Sequence, residues 1–136
     1  MPRRPKALVF DSWALLAYLG AEASSQEIAD LISAAHEHRI PMYLSAVNAG
    51  EVWYIIAREM SESDADKAMT DVVHLGIELI DADWPLARTA GAFKARHRMS
   101  YADCFAAALA RERKSELVTG DKEFKQVESE INVRWV

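Results

Sequence analysis

Ala7-Leu8-Val9-Phe10-Asp11 is an unbroken apolar run stopped by a carboxylate. Such a run suits a strand buried on both faces, as in a parallel sheet covered by helices. Outward from it, Pro41-Met42-Tyr43-Leu44-Ser45 reads as a second strand, with proline at its start where no ladder donor is needed. The segments 77–80, 116–119 and 132–136 are weaker strand candidates. Helical patterns occupy 12–20, 24–38, 46–60, 62–74, 83–97 and 101–113, and a short helix follows Asp121. Strands alternating with helices indicate an α/β fold, expected as a three-layer sandwich around a mostly parallel sheet of about five strands. Two successive helices between strands upset a simple up-and-down count, so the helix 83–97 is expected to lie across the sheet edge.

The chain has 136 residues, which predicts one domain over 1–136. Its 51% hydrophobic and 27% charged residues are ordinary for a soluble protein. No apolar run approaches the ~18 residues of a membrane helix. The basic start is followed by an apolar stretch that breaks at Asp11, too short for a secretory signal. Cys104 is the single cysteine, so no internal disulfide forms and the cytoplasm is the expected compartment. The net charge of −5 argues against a nucleic-acid partner. That objection weakens if four acids share one metal site, because the rest of the molecule is then close to neutral.

Asp11 ends the first strand and Asp121 follows the fourth by two residues. If those strands are parallel, both acids lie at the carboxyl edge, where open α/β sheets place their sites. Glu51 sits near the start of the helix after the second strand, which begins at that edge. Asp103 opens a helix joined to the fourth strand by a very short loop. That helix runs antiparallel to its strand, so its start lies at the same edge. Glu51 also stands between Val47 and Ile55 at i−4 and i+4, in what reads as an apolar stripe, with no basic residue nearby until Arg58. A carboxylate there needs a partner. Clustered carboxylates raise one another's pKa unless cations compensate. Magnesium suits a site of few protein oxygens plus a substrate phosphate, and manganese is a plausible substitute. The matching chemistry is in-line attack of an activated water on a phosphodiester.

Each residue alone has an ordinary explanation. Asp11 and Ser12 read equally as a helix cap, and Ser100-Tyr101-Ala102-Asp103 as a capping box. Asp121 reads as a turn residue, and Glu51 could point outward. Cys104, among alanines and without a nearby histidine in sequence, reads as packing rather than nucleophile. His36, His38 and His74 are expected at the surface, and His97 in a basic patch with Arg96 and Arg98. The tryptophans 13, 53, 84 and 135 are expected mostly in the core, with Trp53 or the adjacent Tyr54 exposed.

Four segments together resemble a known family. Leu8-Val9-Phe10-Asp11-Ser12-Trp13-Ala14-Leu15-Leu16-Ala17, Ser45-Ala46-Val47-Asn48-Ala49-Gly50-Glu51-Val52, Met99-Ser100-Tyr101-Ala102-Asp103-Cys104-Phe105-Ala106-Ala107-Ala108 and Leu117-Val118-Thr119-Gly120-Asp121-Lys122-Glu123-Phe124 resemble the motifs of PIN domains, in order and across nearly the whole chain. Small stand-alone members of this length are commonly VapC-type toxins. The resemblance implies a magnesium-dependent endoribonuclease acting on structured or translation-related RNA. It also implies a homodimer inhibited by a small antitoxin. It assigns Asp11, Glu51, Asp103 and Asp121 as catalytic metal ligands, with Ser12 and Thr119 as polar supports that bond a ligand carboxylate. Separately, Arg3, Arg4, Lys6, Arg96 and Arg98 are candidate contacts for the RNA backbone.

Three other readings compete. A phosphatase with an aspartate nucleophile usually wants a second aspartate two residues on, and position 13 is tryptophan. A catalytically silent module would use the fold to dock RNA or protein. An RNA-processing nuclease would share the chemistry without being a toxin.

Overall fold

The computed structural model describes residues 4–136. Five strands form one sheet: β1 (Leu8–Phe10), β2 (Met42–Ser45), β3 (Ile77–Ile80), β4 (Glu116–Thr119) and β5 (Asn132–Trp135). Their order is β3-β2-β1-β4-β5, and every neighbouring pair is parallel. The helices are α1 (Ser12–Leu19), α2 (Ser25–Glu37), α3 (Ala46–Glu59), α4 (Glu62–His74), α5 (Trp84–Arg96) and α6 (Tyr101–Glu112), with a 3-10 segment over Lys122–Val127.

The period-two alternation of a strand divides the core into two. Leu8 and Phe10 join Met42, Leu44, Ile77 and Val118 on one face, under α1, α2, α3 and α4. Val9 and Leu117 join the opposite face, under α5, α6 and Phe124. Both faces are covered, which is why β1 reads as a continuous apolar run.

The small residues of α6 bring it close to the sheet: every residue from Asp103 to Ala110 is buried. Helix α5 was expected to lie across the sheet edge, and its main packing partner is another helix. It packs against α6, with Leu86, Ala90 and Phe93 buried in the shared core. That i, i+4, i+7 stripe needs an apolar helix face to cover it.

The tryptophans depart from expectation. Trp84 is 72% exposed, while Trp13, Trp53 and Trp135 are only half-buried. An indole N–H needs a partner, and those of Trp53 and Trp135 find carboxylates, on Asp66 and Glu128, at the protein's rim. The core is closed by phenylalanine, leucine and alanine instead. Tyr54 is exposed beside Trp53, and His36, His38 and His74 are at the surface.

Candidate metal centre

Because all five strands are parallel, their carboxyl ends share one edge. Asp11 leaves β1 there and caps α1, its Oδ1 accepting from the Ala14 N–H at 2.8 Å. Its Oδ2 accepts from the Thr119 hydroxyl at the end of β4, at 2.5 Å. Asp11 is 1% exposed. The same Thr119 oxygen accepts from the Asp121 N–H at 3.0 Å. One hydroxyl therefore fixes Asp11 against the loop that carries Asp121.

Asp103 is the third residue of α6. Its N–H donates to Ser100 Oγ, the N-cap, at 3.1 Å. The carboxylates of Asp103, Asp121 and Glu123 each offer an oxygen, and these lie within 4.8 Å of one another. Glu123 was not singled out in the sequence. The available signal was its place two residues after Asp121 at the start of a tight 3-10 turn, where Asp121 Oδ1 accepts from the Glu123 N–H at 3.0 Å.

Glu51 lies outside that trio. The buried stripe of α3 is Asn48, Ala49, Val52 and Ile56. Glu51 is half-buried at its margin, not inside an apolar stripe as the i±4 spacing suggested. It is still near enough for its charge to act on Asp103.

Burial is the largest cause that raises the Asp11 carboxyl from its usual 3.8 to about 7. The bonds from Thr119 and Ala14 oppose the rise, and the charges of Asp103 and Asp121 add to it. Asp103 also rises to about 7, first through burial and then through the charge of Asp121. The Ser100 side chain, hydrogen-bonded to the Asp103 carboxyl, lowers it, while Glu123 and Glu51 raise it. Among the described residues, no salt bridge reaches any of these acids. The site gathers acids that no cationic side chain among the described residues offsets.

The remaining predicted residues divide. Ser12 was expected to bond a ligand carboxylate. Its hydroxyl instead donates to the Asn48 backbone carbonyl at 3.3 Å and accepts from Asn48 Nδ2 at 3.2 Å. As the first residue of α1, it is bonded to α3 through Asn48. Of the basic arm, Arg3 lies outside the described residues. Arg4 and Lys6 line a cleft of about 530 Å³ with Lys114, Glu116 and Asn132. Those residues flank the amino ends of β1, β4 and β5. The cleft is thus at the edge opposite the acids, a strand length of ~13 Å away at 3.3 Å per residue.

Arg96 pairs with Glu130 at 2.9 Å and stacks over the Phe93 ring. His97 also meets Glu130, at 2.7 Å, so Arg96 and His97 share one carboxylate and do not form an open basic patch. Arg98 is exposed on the approach to α6. Its backbone N–H and carbonyl both bond the Gln126 side chain, at 3.1 Å each. This ties the segment before Asp103 to the turn that carries Glu123. Cys104 is fully buried, and burial pushes its thiol pKa up, as suits a packing residue.

Comparison with known proteins gives a consistent picture. The family model for the PIN domain matches residues 8–130. No curated protein sequence matches the chain. Among solved structures, the chain is similar to VapBC2 from Rickettsia felis bound to a DNA fragment from its promoter (TM-score 0.73, 15% identity, covering 96% of this chain and 98% of that one). It is similar to DNA-bound VapBC from Salmonella typhimurium (TM-score 0.72, 16% identity, covering 94% and 96%). It is also similar to Mycobacterium tuberculosis VapC20, a toxin that cleaves the sarcin–ricin loop (TM-score 0.68, 18% identity, covering 89% and 95%). At these identities the likeness speaks for the fold, and the family model speaks for kinship. With a fully parallel five-stranded sheet and acids gathered at its carboxyl edge, this chain belongs to the PIN-domain family.

Proposed function

We propose that the chain is a magnesium-dependent endoribonuclease, the toxin of a type II toxin–antitoxin pair, cleaving a structured or translation-related RNA in the cytoplasm. The observation that carries this reading is the trio Asp103, Asp121 and Glu123, with oxygens within 4.8 Å and, among the described residues, no basic side chain paired to them. The donor set is all hard oxygen, which fits magnesium and admits manganese. A bound divalent cation would supply an activated water and offset phosphate charge.

The chain's own residues would do the rest. Asp103 and Asp121 would hold the cation, with Glu123 beside them. Asp11, braced by Thr119, would present the carboxylate nearest the sheet. Glu51 would contribute its charge from α3. The burial that raises Asp11 and Asp103 to about 7 means both give up protons when a cation binds near neutral pH. A homodimer and a small antitoxin partner complete the proposal. Solved structures of similar fold include VapBC assemblies, some bound to DNA. Among the described residues, no helix is long and apolar enough to cross a membrane.

The test is cleavage of total cellular RNA with magnesium, with chelator, and with Asp11→Asn. Magnesium-dependent cuts that vanish in the variant are the expected result, and sequencing the new ends names the target. Equal cleavage by parent and Asp11→Asn would defeat the reading. A short reading frame directly upstream, encoding an antitoxin, would separate the toxin from an RNA-processing nuclease.

A further inference from the structure

Asn48 is a fully buried, uncharged polar side chain near the acids that makes no hydrogen bond to them. It is 0% exposed in the first turn of α3. Burying a carboxamide is costly unless every bond is made, and here each polar atom is used. Nδ2 donates to Ser12 Oγ at 3.2 Å and to the Ala102 carbonyl at 3.1 Å. Oδ1 accepts from Ser45 Oγ at 2.9 Å. The Ala102 carbonyl can only accept, so it fixes which way the amide faces.

The partners are what matter. Ser12 follows Asp11, Ala102 precedes Asp103, and Glu51 lies one helical turn beyond Asn48. One side chain thus ties together the segments that deliver three acids from β1, α3 and α6. An apolar side chain could fill the volume but could not fix their spacing. Buried networks that are fully satisfied specify one arrangement and resist alternatives.

We infer that Asn48 is a positioning residue that sets the spacing of Asp11, Glu51 and Asp103 and so controls divalent-cation affinity. The inference rests on the metal-dependent reading of the site. Like charges held at a set distance would drift apart without this tie, and displacements of about 1 Å can cost ~10²-fold in rate.

The test uses the full chain without RNA and Mn²⁺ alone as the probe. Mn²⁺ affinity by calorimetry and Tm in chelator are measured for the parent, Asn48→Asp, Asn48→Ala and the buried α3 control Val52→Ala. Asn48→Asp keeps the shape but turns an acceptor toward the Ala102 carbonyl. Both Asn48 variants are expected to lose affinity by about 10–100-fold, the range for residues that orient ligands. Val52→Ala is expected to lower Tm while binding Mn²⁺ like the parent. Parent-like affinity in folded Asn48 variants overturns the inference, as does an equal loss in Val52→Ala. If neither Asn48 variant folds, Ser12→Ala carries the test: weakened affinity supports the inference and unchanged affinity overturns it. A parent that binds no Mn²⁺ defeats the metal-dependent reading itself, a result distinct from a parent that binds and variants that bind equally well.

Discussion

The Thr119 hydroxyl and the Asp11 carboxylate meet at 2.5 Å, although 108 residues separate them in sequence. The bond joins the carboxyl ends of two adjacent parallel strands and is among the forces that hold the Asp11 pKa down against burial.

Thr119→Val removes that donor while keeping the shape. The Asp11 pKa then rises above about 7, so the acidic limb of the rate profile shifts to higher pH. Activity at pH 7 falls by about 10–100-fold and recovers in part at alkaline pH. A kcat-versus-pH profile checks this, and an unmoved limb would show that Thr119 does not tune Asp11.

Stability without metal should depend on pH in a defined direction. Asp11 and Asp103 are raised from 3.8 to about 7, so the folded state holds protons that the unfolded chain has lost. Their stabilising contribution is full below about pH 4 and is lost as pH rises through about 7. In chelator, Tm should fall between about pH 5 and about pH 8. Asp103→Asn should flatten that fall and raise Tm at the alkaline end. A variant at least as steep as the parent would contradict it.

Glu123 and Glu51 should part company. Glu123 belongs to the trio of clustered oxygens, whereas Glu51 acts on Asp103 only through its charge. Glu123→Gln should therefore weaken Mn²⁺ binding more than Glu51→Gln does. Calorimetric titration of both variants decides the order.

Gly120 should tolerate no side chain. A Cβ there would lie 2.2 Å from the Trp13 indole ring. Gly120→Ala should cost about 1–3 kcal/mol in urea unfolding, as overpacking does. In a Trp13→Ala background the same alanine should cost almost nothing. An undiminished cost would place the strain elsewhere than Trp13.

The layered α/β fold was legible because its signals are local. Apolar strands, helical periodicity and capping residues such as Asp11 and Ser100 depend on neighbours within a few positions. The shared edge of Asp11 and Asp103 was also accessible, since parallel strands and a short loop dictate direction. The burial of Glu51 was not legible, because an i±4 pattern cannot tell the centre of a buried stripe from its margin. Arg4 and Lys6 looked available because sequence gives charge but not the edge of the sheet on which it emerges.

By itself, then, the sequence determined which segments become strands and helices and which ends of them carry acids. Only the tertiary structure decided that Glu123 joins Asp103 and Asp121, that Ser12 turns to Asn48, and that α5 packs on α6. Those outcomes depend on distances between atoms far apart in the chain. Such distances are set by how two separate cores pack against one sheet, and no short-range pattern encodes them.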